Sequence, residues 1–238
     1  MFVGHYGPSF AVKALDRSIP LWLLFIAVQF VDVLWGVFVL LGIEKIRIVP
    51  GITATNPLDL YYMPYTHSLV AATLWAGVAA IGYRFVPNLR SWGAAFLVAA
   101  AVLSHWILDL LVHVPDLPLY DNTAKVGFGL WNYPVLAFLL EAGLLFAGIF
   151  LYFNTATGVP AGSRSRMIIF GCVMLVIQAL VFFGPPPPSD KAAAGMALIA
   201  YATFGGVAYW LEKKCGSLKG TGCFSCGGIL VAAGFLRL

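Results

Sequence analysis

The sequence predicts an all-α, polytopic membrane protein with about six transmembrane helices and a short membrane-embedded helix at its N-terminus. Three observations carry that prediction. Hydrophobic residues make up 61% of the 238 residues, against roughly 45–50% in soluble domains. Charged residues make up 10%, against roughly 25%. The apolar residues also fall in long runs rather than in alternation. A water-soluble core and a disordered chain are excluded on these grounds. The net charge of +4 forms no basic stripe, so a nucleic-acid partner is excluded too. Three of the four cysteines crowd into the last stretch of chain, which is no disulfide framework.

The elements follow in order. The segment before Pro20 is apolar at Phe2, Val3, Tyr6, Phe10, Val12, Ala14 and Leu15 but too short to span. Pro8 fits a first helical turn, and Ser18 can cap a helix opening at Pro20. Two placements stay open: a half-membrane helix paired with the first span as a hairpin, or an amphipathic anchor on the membrane surface. Six runs then have the roughly 20 apolar residues that a span needs: Pro20 to Ile43, His67 to Val86, Trp92 to His113, Gly129 to Phe153, Arg166 to Gly184 and Lys191 to Leu211. The run Pro185 to Pro188 ends the fifth. No removable signal peptide and no internal repeat is evident, and the lack of a repeat weighs against an inverted-repeat transporter.

Orientation follows from the basic residues near the span ends. One side holds Lys13, Arg17, Arg84, Arg90, Arg164, Arg166, Lys213, Lys214, Lys219 and Arg237; the other holds Lys45, Arg47, Lys125 and Lys191. This asymmetry places both termini in the cytoplasm and the loops Glu44 to Thr66 and Val114 to Phe128 outside. Their aromatic stretches, Leu58 to Tyr65 and Gly127 to Pro134, read as an interfacial belt, with a lid as the sharper option. One membrane domain covers 1–214. From Cys215 a Gly- and Cys-rich tail (215–238) begins, and its single CxxC of Cys223 and Cys226 lacks a second ligand pair for zinc.

Ionisable groups inside hydrocarbon cost about 2.5–3.5 kcal/mol each and tend to mark function. Asp32 lies in the first span, His105 and Asp109 in the third, and Glu141 in the fourth, with no Lys or Arg at mid-membrane to neutralise them. Protonation, since burial raises a carboxylate pKa, or a bound metal cation is needed. His105 and Asp109, four apart, share one helix face, which His113 continues a turn later. Counted from the cytoplasmic ends, Asp32 lies about 18 Å up, His105 about 21 Å, His5 about 22 Å and His67 about 25 Å. With Asp109, five candidate ligands from four helices fall in one layer of the outer half-membrane. Several polar residues also have a plainer reading, His5, His67, His113 and Asp116 as interfacial residues and Glu141 as a helix-to-helix hydrogen-bond partner, whereas the pair His105 and Asp109 is harder to dismiss.

At these residues the sequence resembles the bacterial inner-membrane proteins known as membrane-bound metal-dependent hydrolases. The matching stretches are VGHYG with His5, VQFVDVLW with Asp32, MPYTHSLV with Thr66, His67 and Ser68, and LSHWILDLL with Ser104, His105 and Asp109. PDLPLY, Pro115 to Tyr120, resembles the segment that follows, so the motifs occupy 1–135. The family's Pro-Asp-x-Asp is reduced here to Asp32, with Val31 and Leu34 beside it, and its basic-glycine pair is Met63 and Pro64. One metal rather than two is then implied.

The resemblance implies a metal-dependent hydrolase of a bacterial plasma membrane. His5, His67, His105 and Asp109 are expected to hold a divalent ion, zinc foremost, with Asp32 as ligand or close neighbour. Asp32 or Asp116 is expected to serve as general base. Thr66, Ser68, His113 and Glu141 are expected to orient ligands or substrate. The location suits a membrane lipid or another amphipathic ester or phosphoester as substrate. The alternative is a proton- or cation-coupled transporter using the same buried His and Asp groups. A scaffold or sensor, locked together by the polar layer, is the third option.

Overall fold

The computed structural model describes residues 1–85, 91–155 and 161–217. A 3-10 turn, Val3–His5, leads into α1 (Tyr6–Leu15). The chain then forms α2 (Leu21–Val28) and α3 (Phe30–Leu40). A hairpin of β1 (Lys45–Ile48) and β2 (Leu58–Tyr62) precedes α4 (Leu69–Arg84) and α5 (Trp92–Val112). A second hairpin of β3 (Leu117–Tyr120) and β4 (Thr123–Val126) precedes α6 (Pro134–Thr155), α7 (Ala161–Phe183) and α8 (Asp190–Ser217).

Among the described residues, the four helices α5 to α8 are long and apolar enough to cross a membrane. The pair α2 and α3 adds a fifth crossing if it is counted as one bent span. The remaining expected span, α4, is apolar but only 16 residues long. His67 lies in the turn just before it, and Ser68 is its N-cap, accepting from Ala71 N at 3.2 Å. The loops Glu44 to Thr66 and Val114 to Phe128 hold the two antiparallel hairpins. Asn122 Nδ2 and Lys125 Nζ both donate to the Tyr61 carbonyl, at 3.0 and 2.9 Å, and so tie one hairpin to the other. Helix continues past Cys215 to Ser217. Cys223 and Cys226, with Arg90, Lys219 and Arg237 of the charge asymmetry, lie outside the described residues.

Apolar size is distributed inside out. Ala72, Ala76 and Ala80 form the buried stripe of α4 against Ala94, Ala95, Val98 and Ala101 of α5. The opposite face of α4 exposes Val70, Leu74, Val78 and Ile81. Small residues let backbones approach, and large ones face outward, where lipid solvates them as well as a protein core does. Glycine works the same way between α1 and α6. A Cβ on Gly7 would strike the Leu144 carbonyl, and one on Gly148 would strike the Gly7 carbonyl. The short N-terminal helix is therefore packed in the interior, with Tyr6 and Phe10 fully buried, and is not a surface-lying anchor.

The bend between α2 and α3 is 56° and falls at Gln29, with φ −107° and ψ 8°. No Pro or Gly occurs from Leu21 to Trp35, so the bend needs another cause. The Val28 carbonyl supplies it by accepting from His105 Nδ1 at 2.8 Å. A side chain intruding on the helical hydrogen-bond ladder is one of the few things that kink a helix sharply.

Candidate metal centre

Two carboxylates, Asp32 from α3 and Asp109 from α5, form the middle of a buried polar layer. Four imidazoles surround them. His105 Nε2 lies 3.1 Å from Asp109 Oδ2 and 3.4 Å from Asp32 Oδ1. His67 Nε2 lies 3.2 Å from Asp32 Oδ1 and 3.9 Å from Asp109 Oδ2. His113 Nε2 is 3.7 Å from Asp109 Oδ2, and His5 Nε2 is 3.1 Å from Asp109 Oδ1. The His5 ring also stacks on His105, with centroids 3.9 Å apart and 12° between planes. All four histidines and Asp109 are buried.

The outer nitrogens decide what the inner ones can do. His105 Nδ1 faces the Val28 carbonyl, which only accepts, so Nδ1 carries the hydrogen. Thr66 Oγ1 gives its single hydrogen to Glu44 Oε2 at 2.6 Å, so it accepts from His67 Nδ1 at 2.8 Å. His113 Nδ1 lies 2.8 Å from Asp116 Oδ1 and donates to it. In each neutral ring this leaves the Nε2 lone pair aimed at the carboxylates. His105 Nε2 has no aligned hydrogen-bond partner among the described residues, although two carboxylates lie close by. Lone pairs facing anions in a buried site repel unless a cation lies between them or a second ring proton turns the contact into a hydrogen bond.

The donor set fits a metal ion. Ligand atoms of His5, His105 and Asp109 lie within 4.8 Å of one another, as do those of Asp32, His67 and His105. Imidazole and carboxylate atoms that each sit about 2.0–2.2 Å from one zinc-like ion are necessarily spaced about 3–4 Å apart. Each imidazole tethered at Nδ1 by a carboxylate, hydroxyl or carbonyl has the outer support that histidine ligands typically carry.

The other expected site residues have different placements. Asp32 sits in the polar layer itself, with Oδ2 accepting from the Tyr201 hydroxyl at 2.6 Å. Asp116 lies at the rim, where its contact is His113 Nδ1. Glu141 fastens the N-terminal turn that carries His5: Oε2 accepts from Phe2 N and Gly4 N at 3.0 and 3.1 Å, and Oε1 accepts from Gln178 Nε2 at 3.0 Å. The Met1 amino group donates to Asp109 Oδ1 at 2.6 Å. Thr66 orients His67, whereas the Ser68 hydroxyl is taken up by the Pro64 carbonyl and the α4 cap.

Sequence reasoning missed Glu44, Gln178 and Tyr201. Glu44 accepts from Tyr65 N and Thr66 N, both at 2.9 Å, besides the Thr66 hydroxyl. Burial pushes its carboxyl above the ordinary value, and these hydrogen bonds oppose that shift. The available signal was an acid at the end of an apolar run. Tyr201 and Gln178 were each a polar atom within an apolar run, the feature that singled out Asp32.

No protein-family model matches the chain, and no curated protein or solved structure matches it.

Proposed function

We propose that this protein is a membrane-embedded, metal-dependent hydrolase that cleaves an ester or phosphoester of a lipid or similar amphipathic substrate. The observation that carries the proposal is the set of three Nδ1-tethered imidazoles with their Nε2 atoms converging on Asp32 and Asp109. His67, His105 and Asp32, whose ligand atoms lie within 4.8 Å of one another, hold the ion and leave a fourth position for water, with Asp109 and His5 flanking them. Zinc suits these donors. Such an ion supplies a Lewis acid and brings the pKa of bound water towards about 7.

The chain's own residues do the rest. Glu44 and Thr66 fix the His67 ring, and the Val28 carbonyl fixes that of His105. Asp116 holds His113 with Nε2 towards the layer, where that atom accepts a proton and the partly exposed carboxylate leads outward. Asp32 is thereby a ligand rather than the base. A groove of about 630 Å³ runs along α4, lined by Phe38, Tyr65, Ser68, Leu74, Trp75 and Val78 and by none of the candidate ligands, though Tyr65 and Ser68 lie close to His67 in the chain. This volume lies in the range of about 300–1,000 Å³ typical of ligand sites, and its apolar wall suits an acyl chain entering from the side. In this reading the protein crosses a bacterial plasma membrane several times, with both termini in the cytoplasm and the site near the outer face.

The test is metal analysis of purified protein beside His105→Ala and His67→Ala, followed by lipid turnover. The proposal expects near-stoichiometric metal in the wild type, its loss in both variants, and turnover that disappears on chelation. A metal-free wild type with intact fold and pH-dependent flux would make the protein a transporter instead.

A further inference from the structure

The helix α8 lies furthest in sequence from the motif-bearing segment, yet it sends one polar group into the ligand layer. The Tyr201 hydroxyl donates to Asp32 Oδ2 at 2.6 Å, and the residue is 5% exposed. The other oxygen, Oδ1, is the one that faces His67 Nε2 and His105 Nε2, at 3.2 and 3.4 Å. The two oxygens of Asp32 are thus divided between a fixed donor and the metal layer. Phe2 packs on the Tyr201 ring, with centroids 6.1 Å apart, and on Phe204 one turn further along α8. The ring is therefore held by packing, whatever its hydroxyl does.

We infer that Tyr201 is a positioning residue that makes Asp32 a one-oxygen ligand and so biases the site towards a small, four-coordinate ion of the zinc type. The inference rests on the metal-centre reading. The physical reason is coordination number. Zinc takes about four ligands, each through a single atom about 2.0–2.3 Å away. Hard cations such as Mn²⁺ and Ca²⁺ favour oxygen donors and higher coordination, which a carboxylate with both oxygens free can serve. A hydroxyl on Oδ2 denies them the second oxygen.

The experiment titrates metal-stripped, full-length protein with Zn²⁺ and, separately, with Mn²⁺. The proteins are the wild type, Tyr201→Phe, Asp32→Ala and the double variant. Tyr201→Phe keeps the packed ring; if it folds poorly, Tyr201→Met carries the same comparison. Tyr201→Phe is expected to weaken Zn²⁺ binding by about 10–100-fold, the usual effect of losing a ligand's outer partner. The ratio of Mn²⁺ to Zn²⁺ affinity is expected to rise with it. In the Asp32→Ala background the same change is expected to leave Zn²⁺ affinity nearly unaltered, since contacting pairs are non-additive. Unchanged Zn²⁺ binding in Tyr201→Phe would overturn the inference and leave the metal centre standing. An equal loss for both ions, repeated in the Asp32→Ala background, would do the same. A wild type that binds neither ion would overturn the metal-centre reading and this inference together.

Discussion

Neighbouring side chains with similar chemistry have different duties here. Thr66 and Ser68 flank His67, and the sequence alone treats them alike. The Thr66 hydroxyl links Glu44 to His67 Nδ1, while that of Ser68 caps α4. Thr66→Val should therefore weaken metal affinity by about 10–100-fold. Ser68→Ala should cost about 1 kcal/mol of stability and leave metal affinity unchanged. Metal titration and thermal unfolding of the two variants, side by side, check this. The residues of the inner layer were legible because ionisable residues stand out in hydrocarbon runs and helix spacing puts His105 and Asp109 on one face. Those partners that lie far away in sequence were not. Glu44 meets Thr66 across 22 positions and Tyr201 meets Asp32 across 169, and no local pattern encodes contacts of that separation.

Helices were readable as apolar runs because a span's length is set by the bilayer and not by its neighbours. Their internal geometry was not. The first run breaks at Gln29 without Pro or Gly, because the cause lies on α5 and not in the run itself. The hairpins were unreadable for a related reason: strands of four or five residues carry too little alternation, and the cross-tie at Tyr61 comes from the other hairpin. The crossing of α1 on α6 depends on two absent methyl groups, at Gly7 and Gly148. Gly148→Val should drive these helices apart and destabilise the protein by about 1–3 kcal/mol, as overpacking does. Because α1 carries the turn that places His5, metal affinity should fall as well. Thermal unfolding and metal titration of this variant in detergent test the two effects.

Across the whole molecule, part of the support for the candidate ligands comes from the other half of the chain. The motif-bearing first part supplies every candidate ligand, and α6, α7 and α8 supply Glu141, Gln178 and Tyr201 behind them. At the opposite end of the helices a second polar contact joins the same halves. Lys13 Nζ pairs with Glu212 Oε1 at 2.6 Å and donates to the Arg17 and Ile19 carbonyls, and Glu212 Oε2 accepts from Leu21 N. Removing one partner of a buried pair costs about 3–5 kcal/mol. Lys13→Met should fall near the lower end, because the Glu212 side chain is 29% exposed. It should lower the unfolding temperature without changing the metal-binding stoichiometry of the folded protein. Orientation has its own check: a cysteine introduced at Asp121, in the β3–β4 turn, should react with an impermeant thiol reagent added to whole cells. The hydrogen bond from His105 to Val28 has a consequence beyond the bend it explains. Straightening the first span would reclaim that carbonyl for its own backbone and release the imidazole to swivel. The kink and the ring's aim are thus a single degree of freedom, and whatever locks one locks the other.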